Sequence, residues 1–279
     1  MKKRVLLAVL ALVSLTANAQ QDSQYTQYMY NTNAINPAYA GSRGALSIYG
    51  MHREQWVGLN GAPKTNAFSI NTPIKDSKVG LGVSFVNDEI GVMKDNSISV
   101  DLSYTIDLDG FNNKLSFGIK GTANLLNVNY SDLNLYNPID PNLTGDINNQ
   151  FSPNVGAGVY YHNTKGYMGL SVPNFLKADR YDDNIYATVQ QRMHFYLMGG
   201  YVFDLNPDLK FKPAFLLKAV DGAPLQADVT ANFLISNKLT LGAAYRFNAA
   251  WSALAGFQIT DGLMIGYSYD GDTTRIANY

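Results

Sequence analysis

Residues Ser97–Leu108 read SISVDLSYTIDL, and apolar and polar side chains alternate through the whole stretch. The apolar positions are Ile98, Val100, Leu102, Tyr104, Ile106 and Leu108. Since successive side chains of a β-strand point to opposite faces, this period of two predicts a strand with one apolar and one polar face. The same alternation returns in residues 115–125, 239–247 and 263–269. The pattern predicts an all-β fold whose sheet is apolar on one face.

Strand-like segments follow one another from Gly44 onward, and we predict about thirteen of them. They lie at residues 44–54, 65–73, 79–87, 96–107, 114–128, 151–162, 167–172, 193–204, 209–220, 227–235, 239–247, 250–259 and 263–270. Every second connection is short, whereas the other series includes the long stretches Asn129–Gln150 and Pro173–Arg192. Outer-membrane barrels have short periplasmic turns and longer external loops. The alternation therefore predicts a transmembrane antiparallel up-and-down β-barrel.

An odd strand number conflicts with the even numbers found in bacterial single-chain barrels. An open barrel would also expose two strand edges with unpaired backbone groups to lipid, at a cost of several kcal/mol per group. We therefore predict a barrel of about fourteen strands in the full protein, with the closing strand missing from this sequence. The alternative is that the strand count is wrong by one.

The composition supports an exported membrane protein. Charged residues make up 15% of the 279 residues, below the value of about 25% that is usual in soluble proteins. The chain contains no cysteine, which excludes disulfides and thiolate metal sites. A net charge of −1 gives no reason to expect a nucleic acid as partner.

The beginning of the chain has the three parts of a secretory signal peptide. Lys2, Lys3 and Arg4 form a basic start, Val5–Leu15 is apolar, and Ala17-Asn18-Ala19 fits a cleavage site. The apolar run is too short for a transmembrane helix, which needs about 20 residues. We predict a signal peptide at residues 1–19, a periplasmic N-terminal segment at 20–43 and an outer-membrane barrel at 44–279.

Two sequence blocks flank the first predicted strand. The first block contains QYTQYMYN at residues 24–31 and AINPAYAGS at residues 34–42. The second contains HREQWVG at residues 52–58 and GAPKT at residues 61–65. In the combination, order and spacing of these blocks, the chain resembles the PorP/SprF family of the type IX secretion system of Bacteroidetes. The family ends in a further strand with a terminal aromatic residue, which is absent here.

This resemblance implies a non-enzymatic protein of the outer membrane, exposed to its lipid. Family members help to export, or to attach to the cell surface, cargo proteins that carry a C-terminal sorting domain. Some take part in gliding motility by serving a cell-surface adhesin. Their implied partners are the periplasmic ring and motor components of the secretion machine. A passive outer-membrane porin for small solutes is the alternative function, and a purely structural outer-membrane protein is a third.

The resemblance also marks candidate partner-binding residues at the motif positions. They are Gln27, Tyr28, Asn31, Asn36, Pro37, Tyr39, Gly41, Arg53, Gln55 and Trp56. From its polar composition alone, the segment Gln20–Ser42 is expected to plug the lumen, to lie across the periplasmic mouth or to bind a partner. We expect Arg53 to pair with Glu54, and Trp56 to anchor the barrel at the membrane interface or to contact a substrate.

Catalytic chemistry finds little support in the sequence. It contains neither a G-x-S-x-G elbow nor an H-E-x-x-H metal motif, and we predict no enzyme activity, no cofactor and no metal. Charged residues on the predicted inner face are Asp101, Lys120, Lys218, Asp228 and Arg246. They are expected either to line a water-filled channel or to cross-link a closed interior through salt bridges.

Overall fold

A computed structural model describes residues 26–109, 112–133, 146–176, 193–220 and 223–273. The predicted signal peptide lies outside these ranges, as do residues 20–25 and parts of both long connections. The described strands form one antiparallel sheet in which sequence neighbours are also neighbours in space. This confirms the all-β, up-and-down architecture predicted from the alternation.

The sheet has 14 strands, and all but β9 lie on one continuous path. β8 and β9 both pair with β10, so together they correspond to one predicted strand that is interrupted at Val202. The strands are β1 (Ser47–Glu54), β2 (Lys64–Pro73), β3 (Val79–Ile90), β4 (Met93–Asp107), β5 (Lys114–Val128), β6 (Ile147–His162), β7 (Gly166–Val172), β8 (His194–Tyr201), β9 (Phe203–Asn206), β10 (Leu209–Val220), β11 (Gln226–Ile235), β12 (Leu239–Arg246), β13 (Ala250–Thr260) and β14 (Leu263–Asp272).

The connection between β3 and β4 differs most from the prediction. The predicted strands 79–87 and 96–107 leave residues 88–95 as their connection. In the structure both strands continue through this region and pair up to Ile90 and Met93. Gly91 has a φ of 58° and makes the tight turn possible, since glycine adopts positive φ without a steric penalty.

The two faces of the sheet have opposite character, as the alternation predicts. On β4, Ile98 and Val100 are 48% and 54% exposed, whereas Asp101 and Ser103 on the other face are 0% and 2% exposed. Apolar side chains point outward in the same way on other strands, for example Ile119 and Leu170. An apolar outer surface around a polar interior is the arrangement of a barrel that faces lipid.

The two edge strands of the sheet, β1 and β14, lie on either side of the gap in the barrel wall. Arg53 on β1 forms a 2.9 Å salt bridge with Asp270 on β14. In the described residues no backbone ladder joins these two strands, so the sheet curls into a barrel shape without closing. The predicted additional strand remains a prediction, and residues 274–279 lie outside the described ranges.

The two ends of the barrel differ in their connections. We call the end with the turns at residues 74–78, 236–238 and 261–262 the short-turn rim. The opposite end, where the connections at residues 129–146 and 173–193 begin and end, is the long-loop rim. Within the described residues, no helix has the length and apolar character needed to cross a bilayer.

Candidate functional site

The N-terminal segment Thr26–Ser42, which we call the plug, lies inside the barrel. The Asn31 side chain accepts a hydrogen bond from Ser69 on β2 at 3.1 Å, and the Asn36 amide donates to the carbonyl of Val159 on β6 at 3.0 Å. The hydroxyls of Tyr28 and Thr230 on β11 lie 3.4 Å apart. Because these strands belong to different sides of the barrel, the segment occupies the lumen.

The plug folds through short-range polar contacts. A four-residue helix, α1 (Thr32–Ile35), is followed by a 3-10 turn at Pro37–Tyr39. Asn36 caps that turn, because its side-chain oxygen accepts the backbone N–H of Ala38 at 3.0 Å. Proline at the first position of the turn has no N–H to satisfy. The sequence Ile35-Asn36-Pro37-Ala38-Tyr39 therefore sets the local backbone shape of the plug at this turn.

Glycines on the inner face of the wall make room for the plug. A Cβ atom added to Gly118 on β5 would overlap the backbone of Pro37 and Ala38, and one on Gly158 of β6 would overlap Asn36. A Cβ on Gly80 of β3 would overlap the carbonyl of Ala40. Glycine inside a strand commonly marks a close approach by another backbone. We call Gly80, Gly118 and Gly158 the glycine floor, because the plug packs directly against their backbone on the inner face of the wall.

A buried ion pair anchors the centre of the plug. Lys120 on β5 forms a 2.9 Å salt bridge with Asp101 on β4, and the two side chains are 3% and 0% exposed. The Asn33 side chain donates to Asp101 at 2.9 Å, and the Lys120 ammonium group donates to the Asn33 carbonyl at 3.3 Å. A buried ion pair is favourable only when further hydrogen bonds satisfy both partners. Asn33 supplies bonds to both charges.

Two further charges of the predicted inner face pair with each other. Arg246 on β12 binds Asp228 on β11 through two nitrogens, at 3.0 and 2.9 Å. Both side chains are 11% exposed. Of the two arrangements left open by the sequence, these pairs follow the one in which salt bridges cross-link the interior. Bidentate geometry adds both energy and orientation to such a bridge.

Tyr28 provides the main apolar contact between plug and wall. It is 1% exposed and packs with Ile35 of the plug against Tyr196 and Met198 on β8 and Leu216 on β10. Most of the other plug contacts described above are hydrogen bonds. A second ring contact joins Tyr39 of the plug to Tyr160 on β6, with ring centroids 5.5 Å apart. The plug is therefore held by many hydrogen bonds and by apolar contacts at Tyr28 and Tyr39.

The N-terminal end of the plug connects the two edge strands. Gln27 donates to Ser268 on β14 at 2.9 Å and accepts from the hydroxyl of Tyr49 on β1 at 3.2 Å. Thr26 donates to Asp270, the same carboxylate that binds Arg53. These contacts bridge the gap that backbone pairing leaves open.

The expected pair between Arg53 and Glu54 is wrong. Arg53 binds Asp270, and Glu54 binds Lys64 on β2 at 2.9 Å. Neighbouring residues of a strand point to opposite faces, so Arg53 faces the lumen while Glu54 faces outward. The strand period alone was sufficient to exclude this pair.

The second motif block contains the loop at residues 55–63, which we call the rim loop and which is exposed from Trp56 to Gly61. It connects β1 to β2 at the long-loop rim. Its backbone is ordered by hydrogen bonds from Gln55 N–H to the Pro63 carbonyl and from Gly91 N–H to the Gly61 carbonyl, at 3.0 and 2.9 Å. Yet Trp56, Val57 and Leu59 are 47%, 81% and 62% exposed. The loop presents apolar side chains on a fixed backbone.

The ten candidate residues therefore separate into two groups. The plug holds Gln27, Tyr28, Asn31, Asn36, Pro37, Tyr39 and Gly41, and the adjoining wall holds Arg53. The rim loop holds Gln55 and Trp56. The sequence reasoning missed Asn33 and the glycine floor, although glycines at alternate positions of predicted strands were a signal for a close backbone approach.

The described residues contain no cluster of three or more acidic or histidine side chains that would suit a metal ion. The site is thus an arrangement of hydrogen bonds, ion pairs and exposed apolar groups.

These features define a plugged β-barrel membrane protein that fits an outer membrane. The family model for PorP/SprF, described as a type IX secretion system membrane protein, matches residues 17–279. The chain therefore belongs to the PorP/SprF family of type IX secretion system membrane proteins. No curated protein matches the chain.

Proposed function

We propose that this protein is a non-enzymatic outer-membrane component of the type IX secretion machinery that assists the export or surface attachment of cargo with a C-terminal sorting domain. Membership of the PorP/SprF family is the observation that carries this proposal. The signal peptide, cleaved near Ala19, delivers the chain across the inner membrane. The partners are the periplasmic ring or motor of the machine on one side and the cargo on the other.

We assign the contact with cargo to the rim loop. Its apolar residues are exposed, whereas the motif residues of the plug are largely buried against the wall; Tyr28 and Asn36 are 1% and 0% exposed. Exposed apolar groups on an ordered backbone suit a binding surface, because little conformational entropy is lost on binding. With the short-turn rim in the periplasm, the rim loop lies outside the cell, where cargo is received.

The porin alternative requires an open lumen. The plug contacts the inner wall of strands on several sides of the barrel, and Asp101 and Lys120 join the wall to it at the centre. This arrangement favours a secretion accessory over a passive solute pore.

The test replaces the apolar surface of the rim loop in the chromosomal copy. The variant Trp56→Ala/Val57→Ser/Leu59→Ser is expected to leave the barrel in the outer membrane while cargo accumulates in the periplasm, as measured by fractionation and immunoblotting. Leu225→Ser is the matched control, because Leu225 is 66% exposed and lies near the start of β11 at the same rim.

Two outcomes would count against the assignment. Normal cargo at the surface would remove the rim loop as the binding site. Loss of the barrel from the membrane in the triple variant would instead show that the apolar rim loop anchors the barrel at the membrane interface. Purification of the epitope-tagged protein from native outer membranes tests the wider proposal, which fails if neither sorting-domain cargo nor a ring component accompanies it.

A further inference from the structure

The inner wall of the barrel is hydrophilic where the plug covers it. Ser69, Ser103, Ser116 and Ser171 are at most 3% exposed, and each belongs to a different strand. Such residues would favour water if the plug were absent, as in the polar interior of an outer-membrane barrel. We propose that the lumen is a latent water-filled channel for small hydrated solutes, and that the plug Thr26–Ser42 closes it reversibly.

The size of the barrel allows a channel. Barrels of about 8 strands have interiors filled by side chains, whereas those with 16–18 strands leave an aqueous passage. With β8 and β9 counted as one interrupted strand, 13 strands lie side by side on the path of this sheet, which is closer to the larger class. In addition, the glycine floor at Gly80, Gly118 and Gly158 provides width that wall side chains would otherwise fill.

The neutral hydrogen bonds between the plug and the wall suit release rather than permanent burial. Ser103 donates to the Ala40 carbonyl at 2.7 Å, and Ser171 donates to the Ile35 carbonyl at 2.9 Å. Water can replace such bonds on both partners, which is why each neutral hydrogen bond contributes little net stability. If the plug were apolar, its release would expose apolar surface to water, and no new hydrogen bonds with water would compensate for the lost contacts.

The plug also has a hinge at its junction with β1. Gly44 has a φ of 72°, a conformation that other residues rarely adopt. Gly44 belongs to the exposed stretch Arg43–Leu46, which leads directly into β1. A Cβ on Gly44 would meet nothing within 4 Å, so the chain is unconfined there. The plug can swing about this point toward the short-turn rim while the barrel stays intact.

The first experiment pushes the plug out from the wall. Full-length protein extracted from outer membranes is placed in planar bilayers, and the conductance of Gly118→Val is compared with wild type in potassium chloride. The larger side chain overlaps the plug backbone, so we expect the open time to rise about tenfold or more. Gly121→Val is the matched control on the same strand, because a Cβ there meets nothing within 4 Å.

The second experiment locks the plug in place. Since the chain has no cysteine, a double variant Asn31→Cys/Ser69→Cys introduces one possible disulfide, at a pair whose side chains already touch. Added to Gly118→Val, the oxidised pair is expected to return conductance to the wild-type level, and a reducing agent is expected to restore the increase. Non-reducing gels report whether the disulfide has formed.

Three results would overturn the proposal. The first is wild-type conductance equal to that of Gly118→Val, which would mean that the plug does not close the lumen. The second is a folded Gly118→Val barrel, verified by circular dichroism, that does not conduct. The third is conductance unaffected by the disulfide. None of these measurements involves cargo, so their failure leaves the proposed secretion role to its own test.

Discussion

The plug and the rim loop carry the two halves of the same motif pattern, yet their environments are opposite. In the plug, polar residues such as Asn33 and Asn36 are 1% and 0% exposed. In the rim loop, the apolar residues Val57 and Leu59 are 81% and 62% exposed. Buried polar groups must be hydrogen-bonded, whereas exposed apolar groups gain from being covered. The polar residues of the plug are therefore explained by their contacts with the barrel wall. The apolar residues of the rim loop are exposed and remain available to contact a partner.

The largest expected effect concerns the ion pair beneath the plug. Asp101→Ala leaves the Lys120 charge buried without its carboxylate, and we expect a loss of about 3–5 kcal/mol in the free energy of unfolding. Glu54→Ala is the control at the base of the rim loop, where the partners are 49% and 35% exposed and a far smaller loss is expected, because solvent-exposed ion pairs contribute little to stability. Urea unfolding in lipid vesicles measures both values. Equal losses would break the contrast between the two regions.

A smaller effect is expected when an amide is removed from each region. Asn36→Ala deletes the cap on Ala38 and the bond to Val159, and should lower the free energy of unfolding by about 1–3 kcal/mol. Asn60→Ala in the exposed part of the rim loop should change it by less than about 0.5 kcal/mol. Limited proteolysis of the plug provides a second readout. A stable, protected plug in Asn36→Ala would show that the cap is dispensable.

The smallest effect separates stability from binding in the rim loop. Trp56 has a φ of 48°, a left-handed conformation that costs a non-glycine residue roughly 1–2 kcal/mol. Trp56→Gly should therefore raise the free energy of unfolding by about 1 kcal/mol, while Val57→Gly should lower it by about 0.5–1 kcal/mol. Thermal unfolding of the two variants compares these signs. A destabilised Trp56→Gly protein would indicate that the indole supports the fold, through its 3.4 Å contact with Asp272 for example.

Local patterns were sufficient to predict most of the wall. The alternation in Ser97–Leu108 gave both the strand and its lipid-facing side, and β10 was predicted at its observed bounds. The β3–β4 turn was missed because Asp88, Glu89 and Asp95 interrupt the alternation near a rim, where both faces meet water. The alternation of apolar and polar residues is lost where neither face of a strand is buried or in lipid, because no face then requires apolar side chains.

The interior could not be predicted in the same way. The partner of Arg53 is separated from it by 217 positions in the sequence, and no local pattern reports such a contact. The sequence of the plug shows no hydrophobic period, because its fold depends on single residues such as Asn36 and Gly41 and on the wall around them. The inward direction of Asp101 and Lys120 followed from the strands, but their joint contact with Asn33 required the structure.

The position of the plug has a consequence for the order of assembly. Its contacts join residues far apart in the chain: Asn33 to Asp101, Ile35 to Ser171 and Thr26 to Asp270, over separations of 68, 136 and 244 positions. Hairpins between successive strands are local and form early, whereas contacts of high sequence separation form slowly. The N-terminal segment, though synthesised first, finds its full set of partners only when the last strands have arrived.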